Sequence, residues 1–242
     1  SYPTTSQSIE ARFYLGLTQL KLQQYENARL TFQTFALSYQ DNPRAPEAWW
    51  NVGDSYVALG NTKEAALAFE RVKVFHPKSK LAPEALLHAS HYFTLADEPD
   101  NARRILRIIL QEYPASSAVL SARTQLAQMY FNEGNLEQAR NELKRVIEGD
   151  PSTEAKAQAL LLLGNIYQVM HRPDQAQLTY GEIIAKHKKS AAVQGAYVQL
   201  GKLLAEEGKY GDAITQLKKG LDEPGAIDSA LAQEALVGIG DA

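Results

Sequence analysis

The chain has 242 residues, 45% of them hydrophobic, and no cysteine, which excludes disulfides, thiol catalysis and cysteine-ligated zinc. Its 25 Lys and Arg against 28 Asp and Glu leave a formal charge of −3, with both signs scattered, whereas a nucleic-acid binder shows a basic stripe, so no nucleic-acid partner is expected. The longest apolar run, Ala159 to Gly164, falls far short of the roughly 20 residues that span a bilayer, so no direct membrane insertion is expected of this stretch.

In chain order the sequence repeats itself. Gly16, Gly53, Ser90, Ala127, Gly164, Gly201 and Gly238 stand 37 residues apart, and Ala28, Ala65, Ala102, Ala139, Ala176 and Ala213 keep the same step. A fixed period in this range marks a repeat array. Tyr2-Pro3 lies in phase with Pro77, Pro114 and Pro151 and reads as the tail of an earlier unit. Units follow at about 7–39, 46–77, 83–114, 120–151, 157–188 and 194–224, with a partial seventh at 230–242, so one array fills residues 1–242. An array ordinarily closes on a polar capping helix, and Leu236-Val237-Gly238-Ile239 is not one, so a piece of a longer array is expected.

The second unit shows the logic. Trp49, Val52, Tyr56 and Leu59, spaced 3, 4 and 3, form one stripe of an amphipathic helix, and Ala65, Phe69 and Val72 form another. Gly60-Asn61 stops the first helix and His76-Pro77 ends the second. Gly53 and Ala65 are the expected point of close approach, which would offset the roughly 1 kcal/mol that glycine costs inside a helix. Pro46-Glu47 and Pro83-Glu84 open first helices, with proline where its missing N–H is harmless. The third and fifth units replace the turn glycine with Asp97-Glu98-Pro99-Asp100 and His171-Arg172-Pro173-Asp174, each proline fitting a helix start.

This pattern of aromatic, leucine-glycine, tyrosine, alanine, phenylalanine and proline resembles the tetratricopeptide repeat (TPR) family. Trp49, Val52-Gly53, Tyr56, Ala65, Phe69 and Pro77 carry the match in unit two, and Leu163-Gly164, Tyr167, Ala176 and Tyr180 in unit five. The period departs from the family's usual 34, the extra residues falling between units, and such extended units are similar to those of bacterial cell-envelope TPR proteins. The resemblance implies an all-α fold, an α-solenoid of antiparallel helix pairs wound as a right-handed superhelix. It also implies that first helices line a concave groove. The offsets beside the core stripe place Phe13, Leu17, Trp50, Asp54, Leu87, His91, Thr124, Gln128, Phe131, Leu161, Asn165, Val198 and Lys202 along it. Trp50 is the expected hot spot, since Trp49 takes the packing position. The carboxylate clamp of TPR co-chaperones is not matched: Phe13, Leu17, Asn51, Glu84 and His88 stand at its five places.

No phosphate loop, nucleophile elbow or catalytic constellation is present. His88 and His91 sit three apart on one helix, but zinc needs three or four converging ligands, and only Glu84 or Asp54 would be on hand to add one. No metal or other cofactor is expected, and His76, His171 and His187 read as solvated loop residues. The expected function is a non-catalytic scaffold that binds a protein or peptide segment in the groove, in the assembly of a bacterial envelope complex. The alternative is a structural module that self-associates through exposed ends.

Overall fold

The structure, a computed structural model, describes residues 5–149 and 153–222; the expected seventh unit and the residues Tyr2, Pro3 and Pro151 lie outside that range. Among the described residues there are twelve helices and no strand. In chain order they are α1 (Ser6–Lys21), α2 (Tyr25–Ser38), α3 (Ala45–Ala58), α4 (Thr62–Phe75), α5 (Ala82–Leu95), α6 (Pro99–Glu112), α7 (Ala118–Asn132), α8 (Leu136–Gly149), α9 (Thr153–Val169), α10 (Pro173–Lys186), α11 (Ala192–Glu206) and α12 (Tyr210–Asp222). The fold is an all-α solenoid of helix pairs, built as two compact units, residues 1–122 and 123–242, whose boundary falls inside α7. In the first unit α1 to α6 each pack on the next in sequence. In the second, α8 to α12 do the same, and α9 also touches α11.

The period is visible in the backbone. Each first helix ends on a residue in the left-handed conformation: Gln23, Gly60, Asp97, Gly134, His171 and Gly208, with φ between 55° and 76°. Each sits in a Schellman cap, as where Gly60 N–H donates to Val57 C=O and Asn61 N–H to Tyr56 C=O. Glycine meets this demand without strain, while Gln23, Asp97 and His171 adopt a conformation that their Cβ disfavours. Pro99 and Pro173 occupy the first position of α6 and α10, as the turn sequences require.

The longer connections between pairs have their own cap. Asn42, Ser79, Ser116 and Ser190 each accept, through the side-chain oxygen, the backbone N–H two residues on. These four positions share the 37-residue phase. The connection folds one histidine inward: His187 is 7% exposed, against the expectation of a solvated loop residue, and His76 is half-buried. His171, on an inner turn, is exposed.

The glycine notch is filled by a side chain four residues beyond the expected alanine. A Cβ on Gly53 would meet the Phe69 ring at 2.7 Å, so Phe69 is the nearest side chain at the notch, and at Gly201 the backbone of Ala213, in phase with Ala65, is close as well at 3.2 Å. Gly16 faces Phe32 and Gly164 faces Tyr180 in the same way, while Gly201 faces Leu217. The facing residue always lies sixteen positions on, and where it is Leu106 or Leu143 the notch residue is Ser90 or Ala127. The rings at Gly16, Gly53 and Gly164 leave no room for a Cβ, and neither does Leu217, 2.6 Å from a Cβ on Gly201; in the third and fourth repeats the small side chains of Ser90 and Ala127 are fully buried at this register.

One end of the first unit is open. α3 and α5 pack on the preceding α2 and α4, and there Val52 and Ala89 are fully buried. Leu15, at the same register of α1, is 51% exposed. With Ala11, Leu30 and Thr34 it lines a cavity of about 650 Å³.

Candidate functional site

The most developed side-chain constellation lies on α3 and α5 of the first unit. Its floor is Phe69, fully buried, whose ring is seated by the missing side chain of Gly53. Trp50 stands edge-on to it, with centroids 5.4 Å apart and planes at 77°. Tyr92 stacks on it at 5.7 Å and 11°. His88 lies 5.2 Å from Phe69 and 4.7 Å from Trp50. The repeat's structural positions therefore also hold the aromatic surface in place.

Asp54 follows Trp50 by four residues, one helical turn, and the Trp50 indole N–H serves as hydrogen-bond donor to its carboxylate. Burial pushes the Asp54 carboxyl above its usual range, and the nearby His88 together with the Trp50 hydrogen bond opposes this only in part. A desolvated carboxylate beside an indole face favours a cation or a strong donor. His91, exposed, sits edge-on to Tyr92 at 5.1 Å.

One repeat earlier the same register is closed. Phe13, expected in the groove, is fully buried: it stands edge-on to Phe32 and Phe35, each 5.4 Å away, and the Arg44 guanidinium covers it at 4.8 Å. Arg44 also lies 5.3 Å over Tyr14, pairs with Glu10 at 2.9 Å and reaches Glu47 at 3.5 Å. Leu87 is likewise 8% exposed and Val198 is fully buried, so these two belong to the core. At this register a side chain leans onto the second helix of its own pair, and Trp50, the largest of the set, still reaches the surface. The residues four further on behave as expected of a surface stripe: Leu17 and Asp54 are half-buried and His91 is exposed.

In the second unit, Gln128 is exposed and donates to Asn132 Oδ1 at 2.8 Å. Asn165 is half-buried, and its Oδ1 lies 2.8 Å from the Tyr180 hydroxyl, whose single proton is shared with Gln168 Oε1. Burial pushes the Tyr180 hydroxyl above its ordinary range, consistent with a donor held against two acceptors. Phe131 and Leu161 are half-buried against the local cores, Leu161 lying over Gly195. Thr124 and Lys202 are half-buried.

Sequence reasoning read Glu47 and Glu84 as helix starts and did not place them, with Glu10, one turn before the stripe. Glu10, Glu47 and Glu84 recur at the 37-residue step, directly before Phe13, Trp50 and Leu87, so the same spacing would have found them. Among the described residues no three His, Asp or Glu side chains converge as a metal site, and no helix is long and apolar enough to cross a membrane.

Models of the tetratricopeptide repeat match residues 13–80, 93–161 and 158–190, and the chain belongs to that family. A search of curated proteins gave no match. Among solved structures, a tetratricopeptide repeat protein from Parabacteroides merdae is 16% identical, with 98% of this chain and 87% of that one covered and a TM-score of 0.55. The C-terminal part of a TPR repeat-containing protein from Cytophaga hutchinsonii is 14% identical, covering 94% and 93%, with a TM-score of 0.64. The pilF protein of Pseudomonas aeruginosa is 17% identical, covering 83% and 89%, with a TM-score of 0.61. At these identities the likeness is one of fold. TPR repeats generally mediate protein–protein interaction, and proteins of this fold are typically non-catalytic scaffolds.

Proposed function

We propose that this chain is a non-catalytic scaffold that binds a segment of a partner protein on the surface of its first helices, with α3 and α5 as the principal contact. The observation that carries this reading is Trp50: a partly buried indole, braced by Phe69 and His88 and held by Asp54. A rigid aromatic anchor of this kind is what an interface hot spot requires. Of the residues first placed along the groove, Leu17, Asp54 and His91 in the first unit and Gln128, Asn165 and Lys202 in the second are retained as contacts, together with Thr124, Phe131 and Leu161. Phe13, Leu87 and Val198 are dropped as core. A bacterial envelope complex is the setting we propose, supported by the extended 37-residue unit.

The test is capture of partners by the full chain from envelope and cytosolic extracts, with Trp50→Ala beside an outer-surface control, Leu67→Ala. A partner enriched from the envelope and lost only in Trp50→Ala supports the reading; a partner retained by Trp50→Ala removes it.

A second reading, self-association, is favoured by the open face of α1 and α2 around Leu15 and Leu30. Light scattering across a concentration series tests it. An assembly that grows with concentration and is abolished by Leu15→Lys supports self-association, and a monomer throughout dismisses it.

A further inference from the structure

The partner's chemistry can be read from a comparison of two successive repeats. In the first, Glu10 and Phe13 share one stripe of α1, and Arg44 lies over the Phe13 and Tyr14 rings while paired to Glu10. The chain thus fills its own aromatic and acidic niche with its own arginine. In the second repeat, 37 residues on, Glu47 stands for Glu10 and Trp50 for Phe13, but Leu81 stands for Arg44. Leu81 is 38% exposed and brings no charge. At the same time a second acid arrives, because Asp54 takes the register of Leu17. The niche keeps its ring, gains the Asp54 carboxylate and has no arginine over the ring, while Glu47 is itself reached by Arg44 at 3.5 Å and His88 stands beside the indole. Unit three carries the acid Glu84 but has Leu87 in place of the ring, so the combination belongs to unit two in this part of the chain.

We propose that the Trp50–Asp54 niche receives an arginine side chain of the bound partner segment, seated over the indole and paired to the Asp54 carboxylate. This rests on the partner-binding reading above and names the chemistry of that partner. Arginine is the fit because its planar, weakly hydrated guanidinium lies over an aromatic ring and pairs with a carboxylate in one pose, as Arg44 does with Phe13, Tyr14 and, through Nε, Glu10. His88 neighbours Asp54 and stands edge-on to Trp50, so it is the side chain of this protein nearest the proposed guanidinium position.

The chain has two tryptophans, so the Trp50 indole N–H is a resolvable probe by ¹⁵N NMR. The ligands are a terminally blocked Ala-Leu-Arg-Leu-Ala peptide and its citrulline twin, which keeps shape and loses charge. The expected result is a saturable shift of the Trp50 signal by the arginine peptide, with citrulline weaker by about tenfold, or 1.4 kcal/mol. Asp54→Asn brings the arginine peptide down to the citrulline level. Leu81→Arg, an exposed substitution that restores the first repeat's arrangement, moves the free Trp50 signal toward the bound position and weakens the arginine peptide by about tenfold. Equal binding of the two peptides, no response to either, or indifference to both variants would overturn the proposal. If a captured partner is lost in Trp50→Ala while the two peptides bind equally, the scaffold reading stands and the arginine niche alone falls.

Discussion

The pairing of a notch residue with the side chain sixteen positions on gives the sharpest prediction about the fold. In Gly53→Ala the new Cβ would stand 2.7 Å from Phe69 ring atoms. Ordinary contact begins near 3.4 Å, so the ring must move by several tenths of an ångström in a core where Phe69, Ala65 and Val72 are fully buried. Overpacking of this kind costs about 1–3 kcal/mol, and replacing a helical glycine by alanine returns about 1 kcal/mol, so a net loss of about 1 kcal/mol is expected. Phe69→Leu alone loses ring packing and is also destabilising. The double variant recreates the combination that unit four carries natively as Ala127 and Leu143, and it should recover about 1 kcal/mol relative to the sum of the singles. Urea unfolding of the four proteins, followed by far-ultraviolet circular dichroism, measures the coupling. Losses that add to within about 0.3 kcal/mol would refute the argument, because sites that share no contact are the ones that add. Since Phe69 also braces Trp50 and His88, Gly53→Ala should shift the Trp50 indole signal as well.

Three further outcomes follow from the same structure. His171→Gly and Asp97→Gly relieve left-handed backbone at φ 55° and 57° and should each raise the urea midpoint, whereas Gly134→Ala, at φ 76°, should lower the midpoint and cost about 1 kcal/mol of unfolding free energy. Leu163→Ala, at 6% exposure, should cost about 2–5 kcal/mol, while Leu15→Ala, the same register at 51%, should cost less than about 1 kcal/mol in urea unfolding. Asp54 is raised in the folded state by burial, so its ionisation weakens folding as pH rises through that raised value. Asp54→Asn should therefore be more stable than the parent at pH 7, and the difference should fade as pH falls below the ordinary aspartate value of 3.8, which urea midpoints at descending pH would show.

The repeat, the helix pairs and the proline starts were legible because they rest on local rules: a fixed period, apolar stripes and the conformational needs of glycine and proline. The notch partner was less so, since Ala65 and Phe69 lie on the same face of the second helix and the choice between them depends on how deeply the two helices interlock. At the candidate site, Asp54 and His91 reach the surface as their register implies. Phe13 did not, because an arginine from the connection before α3, distant in sequence, folds over it, and no periodicity within a helix announces such a lid. His187 was misplaced for a related reason: the capped connection turns tightly enough to tuck the ring inward.

The central claim is that a partner segment lies against α3 and α5 beside Trp50. The most direct measurement places a photoreactive amino acid at His91, exposed and next to this niche, and a second at Leu67 on the outer surface, and illuminates each protein in envelope extract. The account predicts a partner protein crosslinked through position 91, absent from position 67, and lost when Trp50→Ala is added. Crosslinking through position 67 alone, or capture at 91 that survives Trp50→Ala, would contradict it.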